Sequence, residues 1–414
     1  MNKKNILIFD QVETSGGSIA RAVDLANELQ DFRFIFITYH PLADLYPKQL
    51  AEHVIAKRIF SFYNYQRKSA HINRIKALTK NKLLTFFGLK LVALLDLINE
   101  YSIVVQTLAK TFSTKIDLVQ ANGGAHPLPY RIAEIKDAAL LYYFRHLDDY
   151  RWAEGKMLAR ANDYIFVSAN LMKAHLELLQ TVPKDRCQVV HSPFDSQKLL
   201  AKAPPSNLQL INELKSKGYI VILHPARICH EKGQHIAIDA IIKIKDTYPN
   251  FALIFAGSFE DDSDNSYERL LKDKIQEHKL GERVLFIGHR NDVVQILQSA
   301  DIALQTPIWF EALGGSLIEA MQLGVLTVSA DIGGTSEAVI HQKTGLLFPP
   351  GNSDELARLL AMIAENQIDT KALAEAGKEH AYRNWGAELI QQKMRRIYSD
   401  AIATFHQTDS NKHH

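Results

Sequence analysis

Two successive doubly wound α/β domains are what this sequence predicts, and three observations predict them. Short runs that are apolar at nearly every position recur along the chain, each followed by a Gly, Asn, Asp or Pro turn and then by apolar residues at helical spacing. Runs without polar alternation belong to strands buried on both faces, as in a parallel sheet covered by helices. The alternation pauses at Ala203-Pro204-Pro205-Ser206, a linker-like composition, and then starts again. At 414 residues the chain has room for two or three domains at about 150 residues each.

The first run, Ile6 to Phe9, leads through Glu13-Thr14-Ser15-Gly16-Gly17-Ser18 into the helical pattern Ile19 to Leu29. Four apolar residues ended by Asp10 read as a buried strand and not as a signal peptide. Strand, glycine turn and helix open a doubly wound domain, but an adjacent glycine pair is not the Gly-x-Gly-x-x-Gly of nicotinamide binding. Gly16 and Gly17 are therefore either a plain βα turn or a close-approach loop. Further strands are predicted at Phe32 to Thr38, Ile116 to Gln120, Ala138 to Tyr143 and Asp163 to Val167. Ligands of such sheets sit at the strands' carboxyl ends, here Asn122-Gly123-Gly124-Ala125-His126-Pro127 and Phe144-Arg145-His146-Leu147-Asp148-Asp149. On that argument Asn122, His126 and His146 face a site; His146 has the alternative of a structural hydrogen bond.

Residues 57–95 stand apart. They hold Lys57, Arg58, Arg67, Lys68, Arg74, Lys76, Lys80, Lys82 and Lys90, with interleaved aromatics and no acidic residue. Leu84, Phe87, Leu91, Leu94, Leu95 and Ile98 have helical spacing. Such an element either lies on an anionic membrane surface through residues 57–98, or packs its apolar side on the sheet and solvates its basic side. Nucleic acid is the poorer reading because the chain as a whole carries a formal charge of only +2. No stretch of about 20 residues lacks charge, so no spanning helix is expected. Cys187 and Cys229, the two cysteines, fit a reducing compartment and small buried side chains.

In the second half, the strand Tyr219 to Leu223 precedes His224-Pro225-Ala226-Arg227-Ile228-Cys229-His230-Glu231-Lys232-Gly233 and a helix from Gln234. Two cations five residues apart in a strand-to-helix loop can clamp a diphosphate, or be merely solvated. Strands at Leu253 to Ala256 and Arg283 to Ile287 end in Gly257 and Gly288-His289-Arg290. Asp262-Ser263-Asp264 has the Asp-x-Asp spelling of a divalent-cation site, yet lies in a polar run that reads as a loop tip. The densest signal is Phe310-Glu311-Ala312-Leu313-Gly314-Gly315-Ser316-Leu317-Ile318-Glu319-Ala320-Met321, a loop feeding a helix that Gly324 closes. A glycine-rich helix start accepts a phosphate, and two carboxylates suit vicinal hydroxyls. Phosphate and two diols describe a sugar nucleotide. The alternative is a capping box over Ser316-Leu317-Ile318-Glu319 with Glu311 in solvent.

The Glu311-x7-Glu319 stretch, with Arg227 and Lys232 about eighty residues before it, resembles the retaining glycosyltransferases of family four, which have the GT-B fold. Ala312 and Leu313 stand where that family usually has Gly and an aromatic. The resemblance implies two Rossmann-like domains facing across a cleft, an acceptor domain over 1–198 and a donor domain over 199–384. It adds a helix over 385–405 that returns to the first domain, and a tail over 406–414. It implies Glu311 and His146 at the donor sugar, Glu319 at the ribose, Arg227 and Lys232 at the diphosphate, and Gly288, His289 and Arg290 at the base. Gly16, Gly17 and Gly314, Gly315, Ser316 and Leu317 would lie near the phosphates, as would the loop Asp331-Ile332-Gly333-Gly334. The expected enzyme moves a sugar, glucose from UDP-glucose by family frequency, to a saccharide or lipid-linked acceptor. It does so with retention, without metal or other cofactor, and in the cytoplasm. A sugar-nucleotide epimerase or hydrolase, and a non-catalytic binding protein, are the competing expectations.

Overall fold

The computed structural model describes residues 3–10, 17–39, 50–61, 71–72, 75, 82–123, 127–147, 158, 160–178, 182–202, 208–260 and 265–410. Gly16, His126, the Ala203–Ser206 linker, Asp262-Ser263-Asp264 and the cations Arg67, Lys68, Arg74, Lys76 and Lys80 lie outside them. The chain divides into two units. One comprises Met1–Phe166, His175–Val189 and Gln391–His414; the other comprises Val167–Ala174 and Val190–Ile390.

The first unit is built on a seven-stranded parallel sheet, of order β3-β2-β1-β4-β5-β6-β7. Its strands are β1 Lys4–Asp10, β2 Phe32–Thr38, β3 Val54–Arg58, β4 Leu118–Gly123, β5 Ala139–Phe144, β6 Asp163–Phe166 and β7 Cys187–Val189. Strands apolar throughout form its centre: Ile6, Leu7, Ile8 and Phe9 are all buried, as is every residue of β5. The short edge strand β3 escapes the sequence pattern, because Ile55 and Arg58 face solvent and leave it no continuous apolar run. Lys57 and Arg58 accordingly sit in a strand.

The second unit carries six parallel strands in the order β10-β9-β8-β11-β12-β13. They are β8 Ile220–Pro225, β9 Phe251–Ala256, β10 Val284–Phe286, β11 Ile302–Gln305, β12 Leu326–Ala330 and β13 Leu346–Phe348. Both sheets reverse direction of winding once, between β1 and β4 in the first and between β8 and β11 in the second. At such a switch point, neighbouring strand-to-helix loops diverge and leave a crevice at the carboxyl ends.

The helix Ala387–Ser410 covers the first sheet from Gln391 onward. Tyr398, 1% exposed, stacks its ring edge on Phe32 at 5.5 Å and donates its hydroxyl to buried Gln120 Oε1 at 2.7 Å. Burial drives the phenol far above its ordinary range, so it remains a donor.

The Lys82–Lys110 helix corrects one expectation. Its stripe is turned outward: Phe87, Leu91, Leu94 and Ile98 are exposed, which rules out packing of that side on the sheet. By length and composition, Thr85–Lys110 could also cross a membrane, with Lys90, Asp96 and Glu100 interrupting the apolar run.

Tyr398→Phe leaves the buried Gln120 acceptor without its donor and should destabilise the protein by about 1–3 kcal/mol in urea unfolding. A change within error would show that the bond contributes nothing net.

Candidate active site

The second unit's switch point is where its charged residues gather. After β8 the chain runs through Ala226 and Arg227 to the 3-10 turn His230–Lys232, then Gly233 opens the helix Gln234–Ile244. Gly233 has φ +64°, and a Cβ there would lie 2.0 Å from the carbonyl oxygen of Thr306, just past β11. Glycine is required on both counts. Thr306 Oγ1 lies 3.0 Å from Lys232 O and 2.8 Å from Gly233 O, and His224 Nε2 is 3.0 Å from the same hydroxyl. With the hydroxyl proton given to a carbonyl, His224 must be the Nε2–H tautomer that donates to Thr306. Full burial lowers the His224 pKa to about 4, which keeps the imidazole neutral. Gln234, also buried, donates to Arg227 O at 2.8 Å, and Ile308 N–H donates to Glu231 O at 3.0 Å. The Lys232 backbone is thus held from three sides.

Lys232 Nζ is paired with Glu311 Oε2, at side-chain exposures of 28% and 17%. Glu311 is positioned by its own backbone: its carbonyl accepts from Gly334 N–H at 2.7 Å. Added Cβ atoms at Gly333 (φ +59°) and Gly334 would come within 2.2 Å of Glu311 O and Ala312 O. The second glycine pair therefore lets two loops touch backbone to backbone.

The helix Gly315–Gln322 begins on Gly314, in the left-handed region with no side-chain cap. Ser316 is inside the helix and takes a bond from Gln305 Nε2 while donating to Pro225 O at 3.3 Å. That geometry overturns the capping-box alternative, since Ser316 is not the cap. The first turn's amides lie beside the ends of β8 and β11, the positive pole of the helix directed there. Glu319 is 8% exposed, one turn further in. Ser196 Oγ donates to Glu319 O at 3.2 Å, and Gln322 Nε2 donates to Phe194 O at 3.0 Å, pinning the helix to the 194–196 segment.

The remaining expected positions of this unit are less closely joined. Arg227 pairs with Glu260 at exposures of 65% and 49%, a contact that solvent screens. Gly288 has φ +68° and His289 is exposed. Arg290 donates two bonds to Asp292, at 2.8 and 2.6 Å, so its guanidinium is oriented by a carboxylate that the sequence reading did not single out. Cys229 lies within 4.8 Å of carboxylate oxygens of Glu231 and Glu260, and burial raises its thiol to about 11.

In the first unit His146 is exposed, its ring 3.4 Å from where a Cβ on Gly123 would be, at the carboxyl ends of β4 and β5. Asn122 corrects its expectation of facing a ligand. It is 6% exposed, gives its amide to Asp10 and accepts from Arg145 Nε at 2.7 Å. Asp10, Asn122 and Arg145 form one chain of bonds at the β1–β4 switch, with Arg145 stacked 4.0 Å over the Tyr143 ring. Gly17 is the first residue of the helix Gly17–Glu28. The sequence reading missed Gln305, Thr306, Gln234 and Arg145; the available signal was a position just at or beyond a strand end, or for Gln234 the start of a helix.

Gly233→Ala adds both a left-handed strain and a backbone clash, and should cost at least about 3 kcal/mol in chemical unfolding. An unchanged midpoint would refute the packing described. His224 also makes stability depend on pH. Its folded pKa lies below the ordinary 6.5, so its contribution is complete above pH 6.5 and is lost as pH falls toward about 4. Unfolding free energies of the wild type and His224→Asn should converge over that window, by on the order of 3 kcal/mol. Parallel curves would contradict a buried neutral imidazole.

Comparison with known proteins places this geometry. Residues 208–380 match the family described as Glycosyl transferases group 1. The chain is 28% identical over 216 residues to 2-deoxystreptamine glucosyltransferase of Streptomyces kanamyceticus, covering 51% of this chain and 53% of that protein. It is 26% identical over 183 residues to glycogen synthase of Mycobacterium tuberculosis, covering 44% and 42%. The matched stretch thus spans about half the length of these relatives. Among solved structures, Anabaena Alr3699/HepE in complex with UDP has a TM-score of 0.74 at 22% identity, over 96% of this chain and 100% of that one. Sucrose-phosphate synthase of Thermosynechococcus elongatus has a TM-score of 0.72 at 17% identity, over 97% and 100%. The chain therefore has the GT-B fold, and its residues 208–380 are similar to the group 1 glycosyl transferases.

Proposed function

We propose that this protein is a metal-independent, retaining glycosyltransferase that moves a sugar from a nucleoside diphosphate to a saccharide or lipid-linked acceptor. The observation that carries the reading is the meeting of Lys232, Glu311 and the amino end of the Gly315–Gln322 helix at one sheet switch point. The hardest step is departure of the diphosphate. Lys232, Arg227 and the amides from Gly314 to Leu317 are suited to meet its growing charge, and the helix amides do so without reorganising. The bond between the anomeric carbon and the diphosphate oxygen breaks, the acceptor oxygen bonds to that carbon on the same face, and its proton passes to the departing phosphate. Glu311 takes the donor sugar hydroxyls, Glu319 the ribose, and Gly288 to Arg290 the base, as the resemblance assigns them. His146 is the first-unit residue assigned to the sugar. UDP-glucose is the proposed donor, supported by the structure of HepE in complex with it and by the glucosyltransferase relative. Slow hydrolysis of the donor accompanies the absence of an acceptor.

Nucleotide release from UDP-, GDP- and ADP-sugars, measured with EDTA and no acceptor, tests this directly. Release from UDP-glucose that EDTA leaves unchanged is expected, and Lys232→Ala should lower it by at least about 100-fold. Silence with every donor together with no calorimetric binding, or full turnover by the variant, would overturn the assignment.

A further inference from the structure

The Lys82–Lys110 helix distributes its side chains in reverse. Its inward side includes polar residues in specific bonds: Asn99 Nδ2 donates to Ser61 Oγ at 3.1 Å, Gln106 Nε2 donates to Phe60 O at 2.9 Å, and Thr107 is fully buried. Its outward side is Phe87, Leu91, Leu94, Ile98, Tyr101 and Val105, each between 49% and 63% exposed. These positions follow i, i+4, i+7, i+11, i+14 and i+18, which is one line along a helix and about 27 Å long at 1.5 Å per residue. Lys90 lies beside that line, with Nζ 5.5 Å from the Phe86 ring centre, and Arg131 sits 5.2 Å over the Tyr101 ring; Asp96 and Glu100 are half-buried. A continuous exposed apolar stripe is a binding surface.

What binds it is indicated by charge and shape. Residues 57–95 carry nine lysines and arginines and no carboxylate, in a chain whose formal charge is +2 overall. That concentration of cations along the sequence leading into the helix complements an anionic surface. The stripe is a straight ridge on one helix, matched by a plane and not by a narrow ligand. The inward side is tied to Phe60 and Ser61 and includes buried Val92 and Ile103, so the helix lies along a surface and does not cross it. We propose that the outward face of this helix seats the first unit on an anionic lipid bilayer. The leucines and aromatics enter the boundary between headgroups and acyl chains, and Lys90 beside the stripe meets the lipid phosphates. This inference is independent of the donor-site reading.

The full-length protein should co-sediment with vesicles of mixed phosphatidylglycerol and phosphatidylcholine, less with phosphatidylcholine alone, and less as salt rises. In a Phe87→Trp reporter, lipids brominated in the acyl chain should quench the new fluorescence. Leu91→Ser/Leu94→Ser/Ile98→Ser should keep the wild-type circular dichroism and nucleotide release while its partition into anionic vesicles falls at least about tenfold. Equal partition of the triple variant and the wild type, or no quenching of the reporter, would overturn the proposal. So would a wild-type dimer that the triple variant converts to monomer without any vesicle binding, which would assign the stripe to a second copy.

Discussion

The hydrogen bonds of Thr306 to the carbonyls of Lys232 and Gly233 are the constraint on which the second unit's site rests. β8 and β11 are adjacent, so the residues just past them can meet, although they are separated by about eighty positions in the chain. A threonine hydroxyl that bonds the backbone of a facing loop fixes the path of that loop; the Lys232 side chain follows. His224 completes the arrangement by donating to the same hydroxyl from the neighbouring strand end. Gly233 permits it, because a side chain would displace Thr306. A site built this way depends on backbone positions more than on the charged groups it displays.

The charged groups divide by exposure. Lys232 and Glu311, both largely shielded, hold each other in place and form the stiff part of the site. Arg227 and Glu260 are mostly in water, where an ion pair contributes between nothing and about 1 kcal/mol, so Arg227 can readily turn to another anion. The helix amides contribute positive potential with no side-chain freedom to lose. A rigid cation, an adjustable cation and a fixed dipole together suit an anion whose charge changes during reaction.

The first unit shows the same economy at its own switch point. Asp10, Asn122 and Arg145 bond in a chain at the ends of β1, β4 and β5, which ties three strand ends together close to the surface. Away from the sheet, the Lys82–Lys110 helix departs from the rule that apolar sides turn inward. Its inward side combines buried Val92, Ile103 and Val104 with Asn99 and Gln106, which bond Ser61 and Phe60, while a second apolar stripe faces out.

Much of this was legible in the residues. Apolar runs between glycine turns indicate two parallel-sheet units, since only strands covered on both faces lack polar alternation, and β2 has the bounds its composition implies. Glu311, Lys232 and the Gly314-Gly315 helix start were visible as a pattern because two carboxylates eight residues apart flank a glycine-rich helix start, about eighty residues after a pair of cations in an earlier strand-to-helix loop. Periodicity also marked the stripe from Phe87 to Ile98. Which way that stripe faces, that Ser316 is engaged by Gln305, that Asn122 is spent on Asp10 and Arg145, and that Thr306 holds the Lys232 loop were decided by tertiary structure alone. Each depends on which strands become neighbours, and a hydrogen bond between residues tens of positions apart leaves no local mark on the composition or spacing of either segment.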